Sequence, residues 1–199
     1  MFPPSKAWRR GTATASGSLF GLNDMVVTPV IIGWHAGPLH WNISASVWMP
    51  AGSYDKSRTG NTGKNYWTAS PQIGVTYYDP KIGWEFSGAG MILFNATNPA
   101  TNYKSGDIVH LDFAVGKDLS PNLRLGAVGY LAQQITADSG TGAVLGDRKM
   151  SVTGIGPAVA FAFPVNNVPV ILVAKYFPEF NAQNTTQGDA GNLSMWTKF

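Results

Sequence analysis

The sequence predicts an all-β chain, an antiparallel transmembrane β-barrel. Three observations predict it. Charged residues are only 13% of the 199, against about 25% in an average soluble domain. No apolar run reaches the ~20 residues of a spanning helix, and the best stretches, Met25–Trp34 and Val168–Tyr176, fall far short. Apolar residues instead recur at every second position in long segments, the pattern of a strand with lipid on one side and a lumen on the other.

The alternation is plain in His40–Pro50, where Trp41, Ile43, Ala45, Val47 and Met49 oppose His40, Asn42, Ser44, Ser46 and Trp48. It recurs in Asn65–Asp79 and again in Asp107–Leu119, where Val109, Leu111, Phe113 and Val115 oppose His110, Asp112 and Gly116. A helical template with apolar residues at i, i+3, i+4 and i+7 fits none of these segments. Strands are expected at 25–34, 38–50, 64–78, 83–97, 107–119, 122–137, 149–164, 168–181 and 191–199. Soluble sheets favour strands of about 5–6 residues, so these lengths suit a tilted membrane crossing.

Connections alternate between short and long. His35–Gly37, Asp79–Gly83, Ser120–Asn122 and Val165–Val168 are short, with turn residues such as Asp79-Pro80 and Asn166-Asn167. Ala51–Lys64, Asn98–Gly106, Asp138–Arg148 and Ala182–Ala190 are long and polar. Membrane barrels divide their connections this way, into periplasmic turns and outer loops. That polarity ends the chain on the periplasmic side, with the final strand closing on the aromatic Phe199, the C-terminal insertion signature. It also leaves residues 1–24 as an irregular outer-loop segment ahead of a barrel domain over 25–199. Bacterial barrels have even strand numbers. An odd count therefore predicts either a further strand in Thr12–Phe20 or a start truncated from a larger barrel of about 12 strands. The first residues carry no apolar h-region and do not read as a signal peptide.

Several stretches then point to a family: TPVIIGWHAG (28–37), AGSYD (51–55), NTGKNYWT (61–68), YYDPKIGWEFS (77–87), NPATNYKSGD (98–107), HLDFAVG (110–116), VGYLAQQITADSG (128–140) and the closing GD…F (188–199). With these the chain resembles the outer-membrane proteins of the meta-pathway phenol-degradation family. The resemblance implies a bacterial outer-membrane β-barrel, encoded beside catabolic genes, that passes small hydrophobic or aromatic compounds. It carries no catalytic residue set.

The polar face supplies the candidate residues. His40 and Asn42, Thr68 and Gln72, Glu85, His110 and Asp112, Arg124 and Tyr130, and Lys175 and Glu179 are expected to point inward. They either line a solute path or form a structural charge network; the sequence leaves both open. Arg124 and Lys175 belong inside because a Lys or Arg on the lipid face near mid-membrane costs about 2–4 kcal/mol. Trp41, Trp67, Tyr77, Trp84 and Trp196 are expected at the membrane interface, as an aromatic girdle. The alternative is a stacking surface for an aromatic solute.

No G-x-S-x-G elbow is present, and the histidines lack H-x-H or H-x-x-x-H spacing, so neither an enzyme, a metal site nor a cofactor is expected. Loop aspartates lack the D-x-D-x-D-G pattern and read as turn chemistry. The net charge of +3 is scattered, which argues against nucleic acid. The expected partners are the lipid bilayer, lipopolysaccharide, the barrel-assembly machinery and a small hydrophobic or aromatic molecule. The competing readings are a structural, non-conducting outer-membrane barrel and a soluble lipocalin-like carrier.

Overall fold

The computed structural model describes residues 20–58, 60–166 and 168–197. Nine strands, β1 (Met25–Ala36), β2 (Leu39–Met49), β3 (Thr68–Asp79), β4 (Trp84–Asn95), β5 (Ile108–Ser120), β6 (Leu123–Gln134), β7 (Ser151–Val165), β8 (Val168–Gln183) and β9 (Asp189–Thr197), form one sheet. Each pairs antiparallel with its neighbours in chain order, and the sheet curls into part of a barrel. Among the described residues there is no helix, and β1 and β9 are edges that do not pair with each other.

All of the expected strands are present, and the departures lie at their ends. β3 begins at Thr68 rather than Lys64. Asn65 sits in the left-handed region (φ 61°), which breaks the extended run, and its side-chain amide donates to Asn98 Oδ1 at 2.9 Å. β8 runs on to Gln183 across a register shift, with Asn181 at φ 55° supplying the bulge. In β1 the register shifts between Val27 and Val30, around Pro29, which has no N–H for a ladder and is tolerated on an edge strand. Lys198 and Phe199 lie outside the described residues, as does most of Thr12–Phe20.

The turns follow the expected polarity. Gly37–Pro38, Pro80–Gly83 and Pro121–Asn122 close one rim, whereas residues 50–67, 96–107 and 135–150 make long connections at the other. Gly37 and Gly83 hold φ of 57° and 63°, a region open to glycine without a Cβ clash. At the long-loop rim the polar chain is tied down. Asp24 accepts backbone N–H groups of Gly52 (3.0 Å) and Lys64 (2.8 Å). Asp138 accepts from Gly106 N–H (3.0 Å), the Gln134 side chain (2.7 Å) and the Tyr103 hydroxyl. Burial, then the bond to Asp138, pushes the Tyr103 hydroxyl well above the usual tyrosine range.

Register assigns the two faces. Directly opposed residues share a face, so the row Ile43, Ile73, Gly90, Leu111, Leu131 runs across five strands on one side. That side is apolar and uncovered: Ile73 is 59% exposed and Leu193 and Met195 are 70% exposed. The row Asn42, Gly74, Ala89, Asp112, Tyr130, Gly154, Glu179 runs along the other side. A cavity of about 440 Å³ lined by residues of β2–β6 and β8 lies on this second side, which makes it the concave one.

Candidate functional site: the concave face

Every residue expected to point inward stands on the concave face. His40 opposes Thr76, Gln72 opposes Ser44, Thr68 opposes Asn95, Glu85 opposes Gly116, and Arg124 opposes Asp118. Lys175 opposes Ala158, which in turn opposes Gly126, and Glu179 opposes Gly154. Strand alternation does this without further help: residues two apart share a side. The register then decides which of them meet.

Three groups form. At the short-turn rim, Arg124 Nε donates to Asp118 Oδ1 at 2.6 Å and Nη2 to Asp118 Oδ2 at 3.1 Å, while Nη1 pairs with Glu85. Its guanidinium lies 4.7 Å from the Tyr78 ring centroid, and the Tyr78 hydroxyl donates to Asp118 at 2.8 Å. Glu85 also accepts from Ser87 at 2.9 Å. Gly116 leaves room for the arm: a Cβ there would come within 3.0 Å of Arg124 Cδ. A cavity of about 590 Å³ opens here between the turns and Arg124.

In the middle, His110 lies 3.1 Å from Asp112 and stacks on Tyr130 with centroids 5.4 Å apart. Tyr130 meets Phe177 edge-on at 5.5 Å and donates to Glu179, which also accepts Gly188 N–H at 2.8 Å. Gly154 gives way to the Tyr130 ring, since a Cβ there would sit 2.6 Å from it. Asp112 on β5 and Lys175 on β8 line the 440 Å³ hollow together with Asn42, Gln72, Thr76 and Ser87. They do not pair with each other: the described ion pairs leave Lys175 without a carboxylate within 4.0 Å.

Toward the long loops, Thr68 donates to Asn95 at 2.8 Å and Asn95 to the Gly106 carbonyl at 2.9 Å. Thr68 is thus held in this closed part of the wall, 1% exposed, away from the hollow.

The aromatics divide. Trp34 and Trp41 stack at 6.4 Å on the outer face, and Tyr77, Phe86, Trp84 and Phe161 continue along the short-turn rim. Lys117 extends over Trp84 at 5.4 Å and donates to the Ile82 carbonyl. Trp67 stands at the long-loop end, just ahead of β3, 52% exposed. Trp67 and Tyr77 are ten residues apart, which at about 3.3 Å per residue and a tilt of about 40° spans ~25 Å, the height of a membrane barrel's apolar band. Trp196 departs from the expectation: it opposes Ile171, in the face shared by Ser194, Asn192 and Lys175, and not with Trp41 and Tyr77. The final strand places Leu193, Met195 and Thr197 outward, so its even positions turn in.

Sequence reasoning missed two features. One is Tyr78 and Asp118 as partners of Arg124, which only the register reveals. The other is His35, directly opposite His40 in the β1–β2 hairpin, with ring centroids 6.2 Å apart. The mirrored run Trp-His-Ala-Gly-Pro-Leu-His-Trp (34–41) about the Gly37–Pro38 turn is the signal that could have found the pair.

A curled antiparallel meander with an apolar convex face and a polar, charge-paired concave face defines a β-barrel-type protein. The family model described as "Putative MetA-pathway of phenol degradation" matches residues 5–195, nearly the whole chain. The chain belongs to that family. No curated protein and no solved structure matches it significantly. Family and fold together fit an outer-membrane barrel linked to aromatic catabolism.

Proposed function

We propose that the protein is an outer-membrane β-barrel whose concave face forms a passive path for small hydrophobic or aromatic solutes. One observation carries this reading: a hollow of about 440 Å³, with Asn42, Gln72, Thr76, Ser87, Asp112 and Lys175 among its lining residues from β2–β6 and β8, lies directly behind a convex face of exposed Ile, Leu, Val and Phe. Exposing such a face to water is costly at about 25 cal/mol per Å² of apolar surface, and lipid removes that cost. A solute enters between the long loops, passes Asn42, Gln72, Asp112 and Lys175, and leaves past Arg124 at the turns. Hydroxyl, amide and charged groups along the way replace lost hydration, while Phe177 and Tyr130 offer ring faces. The path needs no energy source and no catalytic group, and we assign none. Insertion through the barrel-assembly machinery and contact of the loops with lipopolysaccharide belong to this reading.

The Arg124 group favours a second reading, a barrel whose turn-side end is closed by paired charges. Liposome swelling separates the two. Flux of phenol-sized solutes supports the path. Absence of flux for both aromatic and hydrophilic solutes refutes it in favour of a structural barrel. Recovery of the protein in soluble form without detergent would refute both.

A further inference from the structure

The β1–β2 hairpin carries a side-chain pair that the solute path does not use. His35 and His40 are direct cross-strand partners one step from the two-residue turn Gly37–Pro38. In such a hairpin the closing pair, here Ala36 and Leu39, exchanges backbone hydrogen bonds. The next pair is therefore of the non-hydrogen-bonded kind, whose side chains approach most closely. Both rings are exposed on the concave side, and they stack at 6.2 Å with 30° between their planes. On the opposite side Trp34 and Trp41 pack together, so the backbone spacing of the two histidines is fixed from behind.

We propose that His35 and His40 form a two-histidine site for a late first-row divalent metal ion, copper(II) before nickel(II) or zinc(II). Metal–imidazole bonds are about 2.0–2.1 Å, and a ring nitrogen lies about 1.1 Å from its ring centre. A metal ion held between two imidazoles edge-on therefore sits about 3.1 Å from each centre. That is half of the observed 6.2 Å separation. Turning each ring about its last side-chain bond leaves the ring centre almost in place, and that torsion is broad for histidine. The rings can thus change from stacked to chelating without moving the strands. Water completes the coordination sphere, since among the described residues no third His, Cys, Asp or Glu joins the pair. Imidazole nitrogen with water suits copper(II) best in the order of divalent stabilities. Bound metal cross-links β1, an edge strand, to β2.

The proposal does not depend on solute passage. The test is copper(II) titration of the full chain in detergent, followed by calorimetry and electron paramagnetic resonance. One equivalent should bind, with hyperfine structure from two nitrogens. H35A and H40A should each weaken binding at least tenfold. H110A, which removes the other histidine, should leave it unchanged. Heat-modifiable gel mobility checks that each variant is folded, and H35Q and H40Q serve where alanine unfolds the hairpin. A wild-type spectrum showing one nitrogen or none overturns the proposal. So does binding of equal strength in folded variants of His35 and His40.

Discussion

Replacing Arg124 with methionine removes the one cation between two carboxylates at the turn-side rim. In the intact protein Arg124 makes two bonds to Asp118 and one to Glu85, and lies against Tyr78. A hydrogen bond to a charged group is worth about 1.5–3 kcal/mol, and leaving a buried partner unpaired costs more. The three bonds share one guanidinium and are not additive. The side chains are also 25–29% exposed, so water takes over part of the lost solvation. The expected loss is about 2–4 kcal/mol, or roughly 30- to 700-fold in the unfolding equilibrium. Urea unfolding in phospholipid vesicles, followed by tryptophan fluorescence, measures it. The origin of the loss is two facing carboxylates, so R124M combined with E85Q should recover about 1 kcal/mol. In the wild-type background E85Q alone should destabilise. A loss under about 0.5 kcal/mol in R124M, or an equal penalty for E85Q in both backgrounds, would refute a charge-paired rim.

Other consequences follow from the same faces. I73R puts a cation on the convex side midway between Trp67 and Tyr77 and should cost about 2–4 kcal/mol in vesicles, whereas Q72R on the concave side should cost less than half of that; vesicle refolding titrations compare them. K175M removes a cation of the hollow that has no carboxylate within 4.0 Å among the described residues, and should lower the flux of aromatic carboxylates several-fold relative to neutral phenols, as read by liposome swelling. The Tyr103 hydroxyl is held protonated in the folded loops, so its contribution is full below its ordinary value of 10.0 and is lost as pH rises above it. Y103F should therefore be less stable by about 1 kcal/mol at neutral pH and should flatten the alkaline fall in stability, seen in melting curves from pH 8 to pH 12.

Nine strands were legible because alternation is a property of each segment taken alone. The short and long connections were legible because turn residues are local too. What was not legible is pairing. That Arg124 meets both Asp118 and Glu85 depends on three strands being in register, and the Gly116 gap that admits its arm has no local signature. Trp196 is expected in the girdle as an aromatic near a strand end, yet parity along β9 turns it inward. Thr68 and Gln72 read alike in sequence, but Thr68 is locked to Asn95 while Gln72 lines the hollow. Alternation alone starts β3 at residue 64, because left-handed Asn65 is invisible to a two-residue period.

In the proposed function the convex face meets lipid and the concave face meets a solute path. The chain has no cysteine, so single cysteines placed in turn along Val109–Gly116 of β5 can each carry one spin label. The direct measurement is the accessibility of each label to oxygen and to a water-soluble nickel complex, in bilayers. The expected pattern has a period of two, with Val109, Leu111, Phe113 and Val115 favouring oxygen and His110, Asp112, Ala114 and Gly116 favouring nickel or shielded from both. Uniform access to nickel along the strand, or the opposite phase, would contradict it.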